Sequence, residues 1–474
     1  MNDSVRRTPY RGESFYNIFK LHKPSHRACF FSQRSMRIFL FTLVAFIGTL
    51  PSPAQTDSIR DPFTTSLVVD TIIVSGNEKT KAYVILDEMT IKPGMEATAE
   101  LIEFDKNRIY SLGLFTRVEI LGDTLEGKRF LLVDVSERWF LIPLLFGGFR
   151  DGDPKKPYLG VGLLYNNLFG RNQKVAGTLV FGYNPSLGFS FTDPLISRAH
   201  RLFFSGNVSY SRIRNKSKVE SALTGDFDED HYNINATVGH RYNLFETTAF
   251  TAGFTMVSID EYRPNRTASP NGKDAFIFAS VGYTRDSRDL REYPSKGSFV
   301  SLYLTKSGFG EAELSFTRLG TDLRKYLPLP LDFTLAGRLH ASFVSGTFVP
   351  AHSRVYFGYG ERIRGYFKDV FEGEDLVGTT VELHWPLLKP RTINFTAISI
   401  PQEFSVWRFG ISLAVFADAG VAWFRKQPVT LGSFASGYGT GVHFLLPYSA
   451  IMRVEYAWNE YGRGQFILDF RTSI

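Results

Sequence analysis

The chain has 474 residues, 43% hydrophobic and 15% aromatic, with 41 Gly, 44 Phe and 22 Tyr, yet its mean hydropathy is only −0.10. Of the formal net charge of +7, +6 sits in residues 1–54, with eight basic and two acidic side chains, so the rest is near neutral and offers no basic footprint for nucleic acid. The single cysteine, Cys29, lies in the same stretch, which leaves the remainder without disulfides or thiol chemistry.

In chain order, residues 1–54 read as a presequence. Arg34 and Arg37 precede an apolar run over 38–50, followed by Pro51-Ser52-Pro53-Ala54, with a cleavage point near Ala54. The run is too short to span a bilayer as a helix, and Met36 offers a second start. Residues 55–66 form a linker.

Residues 67–137 read as a small α+β domain. A β-branched run over 68–74 ends in the turn Ser75-Gly76-Asn77, and helical stripes follow over 81–89 and 100–112. Strands are expected over 116–121 and 130–135, joined by a polar turn around Gly122-Asp123 and Glu126-Gly127. The order is strand, helix, helix, strand, strand. Gly76 and Asn77, then Thr80, then Gly113 and Phe115 within Tyr110-Ser111-Leu112-Gly113-Leu114-Phe115, and Val133-Asp134-Val135-Ser136-Glu137 resemble a POTRA domain. That resemblance implies a sheet edge that recruits extended chains backbone to backbone. The alternative is an adaptor that only packs on its neighbour.

From 138 to 474 the hydrophobic pattern has period two. Residues 333–343 alternate cleanly, as do 298–305 and 464–471. Sixteen such segments can be counted, from near Phe140 to near Leu468, each long enough to cross a bilayer as a tilted strand. Strand edges cannot be left bare in lipid, so the sheet should close. The expected fold is mostly β: a 16-stranded antiparallel transmembrane barrel behind one small α+β domain. Its closing strands, around 140–149 and 464–471, contain Pro143 and Gly147 on one side and Phe466 and Phe470 on the other. Pro143 cannot donate a ladder bond, and glycine weakens a strand, so this seam should be the weak point.

The longest gap between segments, 344–374, holds Phe357-Gly358-Tyr359-Gly360-Glu361-Arg362-Ile363-Arg364-Gly365-Tyr366-Phe367, too rich in rings and cations for a plain turn. In the strands after it, parity puts Val381, Leu383 and Trp385 on one face and Glu382 and His384 on the other. Likewise Phe409, Leu413 and Val415 oppose Arg408, Ser412 and Asp418. A charge on the lipid face near mid-membrane costs about 2–4 kcal/mol, less for carboxylates, so Glu382 and Asp418 should face the lumen. Two readings follow: a clasp between a loop arginine, stacked on a ring such as Tyr366, and these acids, or separately solvated charges.

Ile363-Arg364-Gly365-Tyr366 resembles the loop signature of the BamA/TamA and two-partner-secretion superfamily. Asn167-Leu168-Phe169-Gly170-Arg171, Phe191-Thr192-Asp193-Pro194, Tyr283-Thr284-Arg285-Asp286, Gly378-Thr379-Thr380-Val381-Glu382 and Phe416-Ala417-Asp418-Ala419-Gly420 agree with it in order. The resemblance implies that the long loop enters the lumen and that Arg364, rather than Arg362, pairs with Asp418 and with Glu382. The chain departs from the pattern in Gly358-Tyr359 where paired glycines are usual, in having one POTRA domain, and in ending on Ile474.

The implied role is an outer-membrane factor, POTRA domain in the periplasm, that captures unfolded outer-membrane or secreted proteins and inserts or translocates them through the barrel. Outer-membrane lipid and accessory periplasmic or lipoprotein subunits are further expected partners. A dedicated transporter for one secreted partner, or for lipid or lipoprotein, is the alternative; a porin or a barrel hydrolase is remote. Seven histidines are scattered from His200 to His443, without metal-ligand spacing or a Gly-x-Ser-x-Gly elbow. His340 and His384 are expected to be polar lumen lining. No catalytic group, cofactor or metal is expected.

Overall fold

The computed structural model describes residues 67–150, 154–309, 313–346, 348–394, 406–446 and 450–470. The presequence, the linker and Ile474 lie outside them.

The first domain runs β1 (Leu67–Val68), β2 (Thr71–Ser75), α1 (Ala82–Leu86), β3 (Glu96–Ala97), α2 (Ala99–Tyr110), β4 (Phe115–Leu125) and β5 (Lys128–Glu137). The Thr98 side chain caps α2 by accepting from the Leu101 N–H. Strand β5 lies between β2, which is parallel to it, and β4, which is antiparallel. Ile85, Met89, Ile109, Leu114, Phe115 and Leu131 form the core, all inaccessible to solvent. Two expectations are corrected. The run over 68–74 breaks at Asp70 into two strands. Gly122-Asp123 lies inside β4, and the chain turns only at Glu126-Gly127, where φ is 52° and 80°. Positive φ at both positions is the mark of a type I′ hairpin turn, whose twist matches that of the strands. At Gly76, φ is 75° and a Cβ would strike the Val135 carbonyl. The Asn77 amide donates to the Thr80 carbonyl at 2.8 Å.

Beyond this domain, sixteen antiparallel strands form one sheet in sequence order. Eleven consecutive strands run from β6 (Leu141–Phe149) to β16 (Thr334–Gly346). An insertion over 347–374 carries the hairpin β17 (Val355–Phe357) and β18 (Phe371–Gly373). Then come β19 (Asp375–Asn394), β20 (Val406–Trp423), β21 (Ala435–Leu446), β22 (Ala450–Asn459) and β23 (Gly464–Phe470). The pleat decides what faces lipid. In β11 (Asp228–Arg241), Tyr232, Ile234 and Val238 are exposed while Asn233, Asn235 and Thr237 turn inward. Strands β6 and β23 stand at the two ends of the sheet, and among the described residues no ladder joins them. Pro143, paired with Leu163 of β7 (Pro157–Leu168), has no N–H to give. Gly147 lies in β6, and Phe466 and Phe470 of β23 are exposed on its outer face.

The small domain is bolted to one end of the barrel. Glu88 accepts from Arg108 of α2 and from Arg241 at the end of β11, each at 2.7 Å. Arg108 also donates to the Leu244 carbonyl at 3.1 Å. Burial pushes the Glu88 carboxyl up, but the Arg241 and Arg108 guanidiniums outweigh it and hold it below its ordinary value. Asn167 donates to Thr80 at 2.8 Å, and Leu290, from the turn after β13 (Lys273–Asp286), enters the domain's apolar core.

Candidate functional site: a buried charge clasp in the lumen

Strand register builds the site in rows across the lumen wall. One row holds Thr380, Asp418, Gly437 and Asn459; the next Glu382, Phe416, Gly439 and Ala457; the next His384, Ala414, Gly441 and Glu455. Acids thus project from β19, β20 and β22, while β21 contributes glycines that leave room above it.

The insertion folds into this room. Arg364 is 7% exposed, and Glu382, Asp418 and Glu455 are 0%, 5% and 2% exposed. Its backbone N–H and Nε both donate to Asp418 Oδ2, at 2.9 and 2.8 Å, and Nη2 donates to Oδ1 at 2.8 Å. Nη1 donates to Glu382 Oε2 at 2.6 Å and to Glu455 Oε1 at 3.0 Å. The guanidinium lies 3.5 Å from the centre of the Phe416 ring. The planar fork therefore satisfies a bidentate acid, two further carboxylates and a ring face together, which an ammonium could not. The fit is close: a Cβ on Gly437 would strike the Arg364 carbonyl, and one on Gly365, where φ is 98°, would lie 2.7 Å from the Trp458 carbonyl.

Of the residues singled out in the sequence, the structure brings Arg364, Glu382 and Asp418 together. Ile363 is buried with Phe357 and Leu376. The expected stacking of the arginine on Tyr366 is corrected: the Tyr366 ring meets Phe371 at 5.3 Å, and Phe416 takes the stacking position. Arg362 reaches no carboxylate in the clasp. It donates to the Tyr359 and Phe367 carbonyls and covers the Phe367 ring at 4.1 Å. The POTRA-motif residues lie in the first domain, and Pro143, Gly147, Phe466 and Phe470 lie on the terminal strands β6 and β23.

Sequence reasoning placed His384 on the lumen face only as polar lining, and it missed three other participants. Glu455 is inward by the same parity that revealed Glu382, since its neighbours Val454 and Tyr456 face out. His384 is bonded to Glu382, and His443 contacts Glu455 at 3.1 Å. Tyr293, from the turn between β13 and β14 (Gly297–Ser307), contacts His443 at 3.1 Å and stacks on His384 at 4.9 Å. Further polar contacts tie the insertion to the barrel. Glu361 accepts from Arg338 of β16 at 2.8 and 3.0 Å. Arg354 donates to Glu372 at 2.6 Å and to Glu220 of α3 (Lys218–Thr224) at 2.8 Å.

A family model described as the Omp85 superfamily domain matches residues 167–473, and one for POTRA, the surface antigen variable number repeat, matches 67–138. The chain belongs to the Omp85 superfamily. It is similar to the outer membrane protein assembly factor BamA of Nitratidesulfovibrio vulgaris (strain Hildenborough), 26% identical over 310 residues. That match covers 63% of this chain and 37% of the relative, so the chain spans well under half of the relative's length. Among solved structures, BamA from Haemophilus ducreyi lacking POTRA domains 1–3 has the same fold, with TM-score 0.52, 16% identity, and coverage of 85% of this chain and 83% of that one. CdiB from Escherichia coli aligns with TM-score 0.49 and 11% identity over 93% of this chain and 96% of that one. As an Omp85 barrel with a POTRA domain, the protein resides in the outer membrane with that domain in the periplasm. The bolted end is then the periplasmic mouth, and the insertion enters from the extracellular side.

Proposed function

We propose that this Omp85 protein is an insertion or translocation factor for unfolded outer-membrane or secreted proteins, acting without covalent chemistry. The POTRA sheet offers β2 as an outer strand, with Ile73 45% exposed, for pairing with an extended client. The client then passes to the seam between β6 and β23. The observation that carries this reading is that, among the described residues, β6 and β23 end the sheet and no ladder joins them, which gives two strand edges where an incoming strand could pair. The clasped insertion bears on the same place: the Phe367 N–H donates to Gln465 of β23 at 3.0 Å, and Phe367 packs near Ile467. Arg364 and its three acids would set the insertion's position against the last strand.

The test is a disulfide between β6 and β23. The locked barrel should lose client insertion and regain it on reduction; full insertion by the locked form rules out the seam route. Depletion followed by an outer-membrane proteome identifies the clients. Loss of many barrels means general assembly, and loss of one exported protein means dedicated secretion.

A further inference from the structure

The clasp is unbalanced in charge. One guanidinium faces three carboxylates, Asp418, Glu382 and Glu455, all nearly inaccessible to solvent. Two negative charges remain uncompensated in a buried site, a costly state unless further positive charge is present.

Glu382 turns its second oxygen, Oε1, away from Arg364 toward buried His384, whereas Glu455 meets both Arg364 and buried His443 through the same oxygen, Oε1. His384 Nε2 is bonded to Glu382 Oε1. His443 Nε2 lies 3.1 Å from Glu455 Oε1, while its Nδ1 lies 3.9 Å from Glu382 Oε1 and 3.1 Å from the Tyr293 hydroxyl. Glu382, His384 and His443 each offer a donor atom, all within 4.8 Å of one another. We propose that Glu382, His384 and His443 form a binding site for one divalent transition-metal ion of the zinc class, with the Tyr293 hydroxyl as the adjoining fourth donor.

Four features point this way. The ion's two positive charges equal the deficit left by Arg364. Two imidazoles with one carboxylate suit zinc and its neighbours rather than calcium or magnesium, which prefer oxygen alone. Ligand bonds of about 2.0–2.1 Å in tetrahedral array place donors roughly 3.3 Å apart; the 3.9 and 3.1 Å separations around His443 Nδ1 lie on either side of that value, while His384 Nε2 and Glu382 Oε1, now hydrogen-bonded to each other, must move apart to admit the ion. Finally, Glu455 is placed to accept a hydrogen bond from His443 Nε2–H, which would leave Nδ1 as the unprotonated, ligating nitrogen; an acid behind a histidine orients metal ligands in this way. Glu382 and His443 have no exposure, so the site is closed and structural. Tyr293 belongs to the turn that also places Leu290 in the POTRA core. The ion would fasten that periplasmic turn to the wall holding Arg364.

The test uses the full chain, extracted in detergent, stripped with chelator and reloaded with Zn2+ or Co2+. Wild type should retain one zinc ion per chain through gel filtration and show the intense visible bands of tetrahedral Co2+. The His384→Gln/His443→Gln double variant should retain none. His340→Gln, a lumen histidine outside the cluster, should bind as wild type. His384→Cys, which keeps a zinc ligand but loses the imidazole, should restore uptake. Folding is checked by heat-modifiable mobility, and the wild-type measurements stand whether or not a variant folds. Zinc-free wild type without tetrahedral Co2+ bands overturns the proposal. Equal uptake by the folded double variant also overturns it.

Discussion

Arg364 and Asp418 share three hydrogen bonds, one from the arginine's own backbone N–H and two from its side chain. The pair therefore fixes the insertion's main chain as well as its charge. Arg364→Ala leaves buried carboxylates without their guanidinium, a loss of about 3–5 kcal/mol. Arg362→Ala removes a stacking contact and bonds to carbonyls, about 1 kcal/mol. Thermal unfolding in detergent should separate the two variants clearly; equal shifts would show that Arg364 holds no special place.

The three acids should be unequal. Asp418 accepts three bonds from Arg364 and Glu455 accepts one from it, in a cluster with surplus negative charge. Hydrogen bonds to charged groups contribute about 1.5–3 kcal/mol each. Asp418→Asn is expected to lower the unfolding midpoint at least twice as far as Glu455→Gln, measured under identical salt and detergent.

Gly437 tests the fit of the loop against the wall. A methyl group there collides with the Arg364 carbonyl, and overpacking of this kind costs about 1–3 kcal/mol. Gly437→Ala should expose residues 347–374 to protease added outside intact cells. Gly177→Ala, where a Cβ meets nothing within 4 Å, should leave them protected.

The bolt between POTRA domain and barrel should respond to acid. The folded Glu88 carboxyl lies below its ordinary value of 4.5, so its contribution is fully present above pH 4.5 and is lost as pH falls through the lower folded value. Distances between spin labels on the β4–β5 turn and on the barrel should stay narrow from neutral pH down to Glu88's ordinary value of 4.5 and broaden only as the pH falls further below it. Glu88→Gln should show the broad distribution already at pH 7.

Much of this molecule follows from local chemistry along the chain. Alternation of side chains is a property of each strand's own pleat, so the sixteen strands and the inward direction of Glu382 and Asp418 could be read without neighbours. The long insertion announced itself by breaking that rhythm. Which inward groups meet is a different matter, because it depends on register between strands far apart in sequence. Glu455 lies 91 positions from Arg364, and Tyr293 lies 150 positions from His443. Only the folded sheet sets Phe416, rather than Tyr366, beneath the guanidinium, and only there do Glu382, His384 and His443 come within reach of one ion. The same holds at the seam. Pro143 showed that β6 was weak, but whether a ladder joins β6 to β23 depends on how sixteen strands curl and stagger together, a property of the whole sheet and of no segment within it.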